Sequence, residues 1–205
     1  MRKMFMAILA LAQSPADCAR RLGAITVGFK SDGAPIHADD LQAVGAMMVL
    51  LNDALRPNLA QTTEHTPALI HAGPFANIAH GTCSVIAQRI GLALGEYIIN
   101  EAGFGADLGA EKYLDIVMPS SGIKPAAAVL VATVRALKRH DLASGNLTAG
   151  LDNLGKHVEN LRKYRLPIVV ALNRFPDDGD EELRIVKSFC SGLGVEVALS
   201  EVFAK

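Results

Sequence analysis

Apolar residues along the chain follow two rhythms. In the first they recur at steps of three and four: between Ala38 and Leu55, the residues Leu41, Val44, Met48, Leu51 and Leu55 share one helical face. Asp39 and Asp40 suit the positive end of that helix, and Arg56-Pro57 ends it. The same spacing predicts helices over Thr82–Gly95, Gly150–Lys163 and Asp180–Leu193. A shorter helix is predicted in "SPADCARRLG", with Ser14 as N-cap, Pro15 in the first turn and Gly23 as the stop. The second rhythm is a series of short runs that are apolar at nearly every position: "AITVGF", "ALIHA", "EYIIN", "AAVLVATV", "PIVVALN" and "VEVALS". A strand wetted on one face alternates, whereas a strand covered on both faces does not. From "ALIHA" onward the runs alternate with helical segments. The expected fold class is therefore α/β: three layers, with a mostly parallel sheet and helices on both faces. Residues 1–60 are expected to form a helical segment with a short strand, and 61–205 the α/β portion.

In such sheets ligands bind beyond the carboxyl ends of the strands, so the loops that follow the apolar runs are where chemistry is expected. The first is "HAGPFANIAHGTCS", His71 to Ser84, with Asn77 and His80 as polar groups and Gly81 ahead of a helix start. Its backbone N–H groups could hold an anion, but one His and one Asn are a weak constellation and the plainer reading is a loop with a capped helix. The second is "NEAGFGADLGAEKYLDI", in which Gly103, Gly105 and Gly109 imply positive φ or close approach. Here Glu101 and Asp107 suit Mg²⁺ binding or nucleophile positioning, or else carboxylates that cap nearby amides. The third is "ALNRFPDDGDEE", whose acidic run best fits a helix start favoured by the dipole. In that loop Phe175 directly follows a strand, at a rim where a ligand ring could stack, and Phe203 follows the last strand in the same way.

Composition narrows the picture. The 205 residues, half of them apolar, can bury a real core, and 20 Lys and Arg against 21 Asp and Glu give no basic field for nucleic acid or anionic membrane. No apolar run reaches the roughly 18 residues that a spanning helix needs. The three cysteines, Cys18, Cys83 and Cys190, are far apart and fit reduced thiols in a cytoplasmic protein better than a disulfide framework. The opening "MRKMFMAILALAQS" has the outline of a secretory signal peptide, against which the cysteines count. The stretch Gly150-Leu-Asp-Asn-Leu-Gly155-Lys156-His157 nearly matches the phosphate loop G-x-x-x-x-G-K-[ST]. It has His where a Mg²⁺-binding hydroxyl is required, and no strand precedes it. Leu151, Leu154, Val158 and Leu161 make it one amphipathic helix instead.

Taken together, "TPALIHAGPFANIAHGTCSVIA", "EAGFGADLGAEKYLDI", "VLVATVRALK", "VVALNRFPDD" and "VALSEVFAK" resemble the formate-tetrahydrofolate ligase family, in the family's order and from about Met6 to Lys205. The resemblance implies part of a P-loop NTPase-like ligase fold. It also implies ATP-dependent formylation of tetrahydrofolate, through formyl phosphate, to 10-formyltetrahydrofolate in one-carbon metabolism. MgATP, formate and tetrahydrofolate would be substrates, with no tightly bound cofactor. The implied partners are these small molecules, together with a homo-oligomer or a complementary half. Phe175, Pro176, Leu199 and Phe203 correspond to the folate slot, with Phe203 where the family usually has Trp ("SEVWAK"). Glu101, Gly103, Gly105, Asp107 and Glu111, with Asn77 and His80, correspond to loops near the nucleotide and formyl phosphate. "YLDIVMP" departs from the usual "DIKCR", losing two basic residues. The family's phosphate loop lies upstream of the matching region, so its lysine has no counterpart here and the Mg²⁺ ligands stay unassigned. The chain is thus expected to be incomplete for catalysis; the alternative reading is a non-catalytic folate-binding or assembly module that pairs with a nucleotide-binding partner. The resemblance also turns the opening segment into an internal helix, with Met6, Ile8, Leu9 and Ala12 facing a core.

Overall fold

A computed structural model of the chain describes residues 2–73, 79–103, 105–141 and 145–204. They group into two compact units, one running to Ile123 and the other starting at Lys124.

The first unit begins with α1 (Arg2–Leu11) and α2 (Pro15–Gly23). The Ser14 hydroxyl caps α2 by accepting from the Asp17 N–H at 3.1 Å. Leu9, Ala10 and Ala12 are buried, and Ile8 packs on the cluster of Ala12, Cys18 and Leu22. Met6 is half-buried. The helix predicted over 38–55 is shorter, α3 (Val44–Leu51). The Asp40 carboxylate accepts from the His37 N–H at 2.8 Å and holds a turn, the local bond with which Asp competes against helix, and Leu41 is left 61% exposed.

Two of the predicted strands lie outside the parallel sheet. β1 (Thr26–Phe29) pairs antiparallel with β2 (Pro35–His37), and β3 (Asn58–Gln61) with β4 (Pro67–Ile70). Their connections, residues 30–34 and 62–66, are too short for a parallel crossover, so the pairs can only be hairpins. "EYIIN" forms no strand, and its Tyr97 and Ile99 are 85% and 100% exposed. The run is apolar enough for a buried strand, but without a neighbouring ladder its backbone has no sheet to join. The helix predicted over 82–95 is α4 (Val85–Leu94), capped by Ser84, whose hydroxyl accepts from the Ala87 N–H at 3.0 Å. Two π-helical turns, Ala106–Ala110 and Tyr113–Val117, lead into the short α5 (Met118–Ser121).

The second unit is a parallel three-stranded sheet with its helices: β5 (Ala128–Ala132), α6 (Val134–Lys138), α7 (Leu147–Lys163), β6 (Ile168–Asn173), α8 (Asp180–Gly192) and β7 (Glu196–Ser200), in the order β5-β6-β7. The strand order steps in a single direction. Right-handed crossovers then place every helix of this unit on the same side, rather than on both faces as predicted. On that side Ala132, Val170 and Leu172 pack with Leu151, Leu154 and Val158 of α7 and with Leu183, Val186 and Cys190 of α8. On the other side Val129 and Val131 are each 66% exposed. The stretch resembling a phosphate loop is continuous helix within α7. Its Gly150 serves packing, since a Cβ there would lie 2.3 Å from the Leu137 carbonyl oxygen of α6.

Candidate functional site

In the second unit, three successive strands deliver side chains to the carboxyl edge of the sheet. β6 ends at Asn173, and the Arg174 N–H donates to the Ser200 carbonyl at 2.8 Å, extending the pairing with β7 by one residue. Phe175-Pro176-Asp177-Asp178 then closes a turn in which the Asp178 N–H donates to the Phe175 carbonyl at 3.1 Å. Pro176 supplies the preset φ of the second turn position. The buried Asp178 carboxylate accepts from the Phe175 N–H at 2.8 Å, so both backbone polar groups of Phe175 are bonded to one residue. Phe203 arrives on a 3₁₀ turn, Val202–Ala204, immediately after β7. The two ring centroids are 4.7 Å apart at 50°, within the tilted arrangements that aromatic pairs prefer. From the third strand, β5, comes Arg135 in the first turn of α6, with its guanidinium 4.2 Å above the Phe175 ring.

Charge around the rings is arranged in pairs. Arg135 is bonded to Asp177, and this bond holds the Asp177 carboxyl below its ordinary range. Arg174 lies 3.2 Å from Asp180 and 3.7 Å from Glu201. Lys138 pairs with Glu182, lowering that carboxyl, and the Glu182 side chain accepts from the Gly179 N–H at 3.3 Å to cap α8. The Asn173 Oδ1 is buried without a partner among the described residues. Leu199 is 40% and Phe203 58% exposed, and Pro176 is also exposed, so the edge is open to solvent. Stacking a planar ligand between two flanking rings needs about 7–8 Å between them. At 4.7 Å, Phe175 and Phe203 instead touch each other.

In the first unit, two of the three loops singled out in the sequence come together. The Gly103 N–H donates to the Gly81 carbonyl at 2.8 Å. A Cβ on Gly81, which has φ +85°, would sit 2.2 Å from the Gly109 carbonyl oxygen, and one on Gly109 1.7 Å from that of Gly103. These three glycines therefore allow backbone to meet backbone where any side chain would intrude. Asn100 bridges the loops, donating to the Thr82 hydroxyl at 2.5 Å and accepting from the Cys83 thiol at 3.2 Å. The Cys83 thiol is pushed up by burial. Tyr113 donates to the Gln88 side chain at 3.3 Å, and Gln88 donates to the Cys83 carbonyl at 3.2 Å.

Within this junction His80 is 1% exposed. Its Nε2 lies 3.4 Å from the Cys83 carbonyl, which can only accept, so Nε2 carries the proton. Nδ1 is then a buried acceptor without a partner among the described residues. Burial lowers the His80 pKa, and the nearby Lys112 ammonium acts in the same direction. His71 has the form of a base beside a hydroxyl, with Nδ1 2.5 Å from the Ser84 Oγ and Nε2 2.7 Å from the Ala54 carbonyl. Ser84 is fully buried and caps α4, so this pair ties the loop together and has no access to substrate. Glu101, Gly105 and Asp107 are exposed, and Glu111 is half-buried on the same segment. Asn77 lies outside the described residues. Among the described residues, no three His, Cys, Asp or Glu gather as metal ligands, and no helix is long and apolar enough to cross a membrane.

Arg135, Arg174 and Asn100 are the site-edge residues that sequence reasoning missed. The signal for the first two was positional, since each closely follows the carboxyl end of a strand, as Phe175 does. Asn100 carried the same signal, at the end of the apolar run "EYIIN", although no strand forms there.

Fold and site together define an α/β protein that presents paired aromatics and arginines at the carboxyl edge of a parallel sheet in one unit and a glycine-built loop junction in the other. Residues 3–205 match the model of the family described as Formate-tetrahydrofolate ligase, and the chain belongs to that family of ligases. A curated formate-tetrahydrofolate ligase of Petrotoga mobilis is 51% identical to it over 209 residues, an alignment that covers 98% of this chain and 38% of that protein. The chain therefore spans well under half the length of that relative.

Proposed function

We propose that this chain carries the folate part of a formate-tetrahydrofolate ligase site, acting in the cytoplasm on small-molecule substrates. The carrying observation is the Phe175–Phe203 pair at the carboxyl edge of β6 and β7, in a chain matched to this family over nearly its whole length. A pterin is flat and polar-edged. It suits a slot with aromatic walls, with Pro176 and Leu199 beside them. In the ligase reaction formate attacks the γ-phosphate of MgATP and expels ADP; an amine nitrogen of tetrahydrofolate then attacks the carbonyl carbon of the formyl phosphate, losing its proton and expelling inorganic phosphate. The folate slot would hold that amine in position and shield the acyl phosphate from water.

For the nucleotide and formyl phosphate we assign the junction of Gly103, Gly105, Asp107 and Glu111 with His80, and the neighbouring Glu101 and Asn77. Support comes from the close backbone approach of two glycine loops, with Glu101, Gly105 and Asp107 exposed on the same segment. The fold would be a portion of a P-loop NTPase-like ligase. The 205 residues contain no G-x-x-x-x-G-K-[ST], because the nearest approach ends in His157 within α7. Spreading charge during phosphoryl transfer depends on such a lysine and on Mg²⁺. The chain alone is therefore expected to bind tetrahydrofolate without turning over.

The test is calorimetry with tetrahydrofolate, together with an assay for 10-formyltetrahydrofolate from formate, MgATP and tetrahydrofolate. Binding without product is the expected result. Absence of binding removes the folate assignment, and product formation by the 205-residue chain removes the assignment of incompleteness.

A further inference from the structure

The two rings at the carboxyl edge are held very differently. Both backbone polar groups of Phe175 are bonded to Asp178, Pro176 follows it, and the Arg135 guanidinium lies 4.2 Å over its ring. Arg135 is in turn tied to Asp177 of the same turn, so that turn and the first turn of α6 are clasped together through the ring. Phe203 sits on a three-residue 3₁₀ turn, is 58% exposed and rests its ring on Phe175.

We propose that Arg135 is a positioning residue that makes Phe175 the fixed wall of the slot, and that Phe203 is the wall that moves. A flat ligand enters by displacing the Phe203 ring outward and taking its place against Phe175. Arg135 stays over the Phe175 ring and holds it in place. Three features carry this. A wall can guide a planar ligand only if its own orientation is set, and here that setting comes from a cation above the ring and a carboxylate behind the cation. The 4.7 Å ring contact leaves no room between the walls, so one of them has to yield. The bonding favours movement of Phe203, because Asp178 pins the Phe175 backbone and swinging its ring aside would break the Arg135 stack, whereas Phe203 is 58% exposed on a short 3₁₀ turn.

The inference rests on reading this edge as a folate slot, and the experiment separates the two. Calorimetry with tetrahydrofolate is run on the chain and on its R135A and R135K variants, with aromatic NMR of each in the ligand-free state. R135A is expected to bind about three- to thirty-fold more weakly, with R135K recovering part of the loss because an ammonium can also sit over a ring. In ligand-free R135A the Phe175 ring should gain mobility while that of Phe203 does not change. Equal affinities of R135A and the parent chain, or R135K no better than R135A, overturn the positioning role. If the parent chain does not bind tetrahydrofolate, the folate assignment fails, and the ligand-free spectra still decide whether Arg135 fixes Phe175. Unchanged Phe175 mobility in R135A then overturns that as well.

Discussion

At the scale of single residues, burial decides which side chains can take part in chemistry. The Ser84–His71 pair has the distances of a nucleophile and its base, but full burial makes it a fastening. His80, equally buried, keeps one acceptor unused, and this gives it a measurable signature. Burial places the His80 pKa in the folded chain below the ordinary 6.5. The unfolded chain therefore takes up a proton near pH 6.5 that the folded chain resists, and stability rises with pH wherever the unfolded state binds more protons. His80 thus contributes full stability above pH 6.5 and progressively less as pH falls below it, with a slope of at most about 1.4 kcal/mol per pH unit. Urea unfolding at pH 7.5 and 5.5 should show this loss in the parent chain and a smaller one in His80→Gln. Equal losses in both would remove His80 as the cause. The second residue-scale expectation concerns Phe203. Trp at this position would enlarge the stacking face and add an N–H donor, so Phe203→Trp should tighten tetrahydrofolate binding about two- to tenfold by calorimetry. No gain, or a loss, would mean that Phe203 is not a wall of the slot.

At the scale of elements, the glycine junction is the most constrained feature of the first unit. A methyl group on Gly109 would overlap the Gly103 carbonyl at 1.7 Å, and that obstacle is backbone, which cannot rotate aside. Gly109→Ala is expected to cost at least about 3 kcal/mol in denaturant unfolding, at the upper end of the range for overpacking. Gly192→Ala is a suitable control, since nothing lies within 4 Å of its added Cβ. A Gly109→Ala variant as stable as the parent chain would show that the loops do not meet as described. Elements whose signal is local were legible in the sequence. Helix α8 begins where the acidic run predicted, and α2 and α4 carry the Ser14 and Ser84 caps. The end of β6 places Phe175 at the sheet edge, as its position directly after an apolar run predicted. What could not be read was pairing. "ALIHA" and "PIVVALN" look alike as apolar runs, yet β4 is a hairpin strand and β6 the centre of a parallel sheet, because the difference lies in which segment comes alongside. The Phe175–Phe203 contact was anticipated only as two rim aromatics; their 4.7 Å contact and the arginine above them depend on turn geometry that a list of residue types does not contain.

At the scale of the whole molecule, the sheet of the second unit poses a problem of exposure. Runs apolar at every position led to the expectation of helices on both faces, and that chemistry has not gone away: Val129 and Val131 still point away from the helical side at 66% exposure. Their strand, β5, is also an edge strand, and "AVLVA" has neither a charge nor a proline to discourage a neighbour. Parallel sheets are rarely left open on one face, because their β-branched side chains lose the benefit of burial. The isolated chain should therefore self-associate as its concentration rises. Replacing the two outward valines with lysine, Val129→Lys with Val131→Lys, leaves the packed face of Leu130 and Ala132 untouched and places charge on an exposed edge. The double variant is expected to stay monodisperse in light scattering at concentrations where the parent chain forms larger species, with a change in unfolding free energy of about 1 kcal/mol or less. A parent chain that stays monodisperse would show that this face is already covered in solution. A double variant that unfolds outright would show that the valines belong to a core, and in either case the apolar pattern of the strands would have been the better guide to the assembled protein.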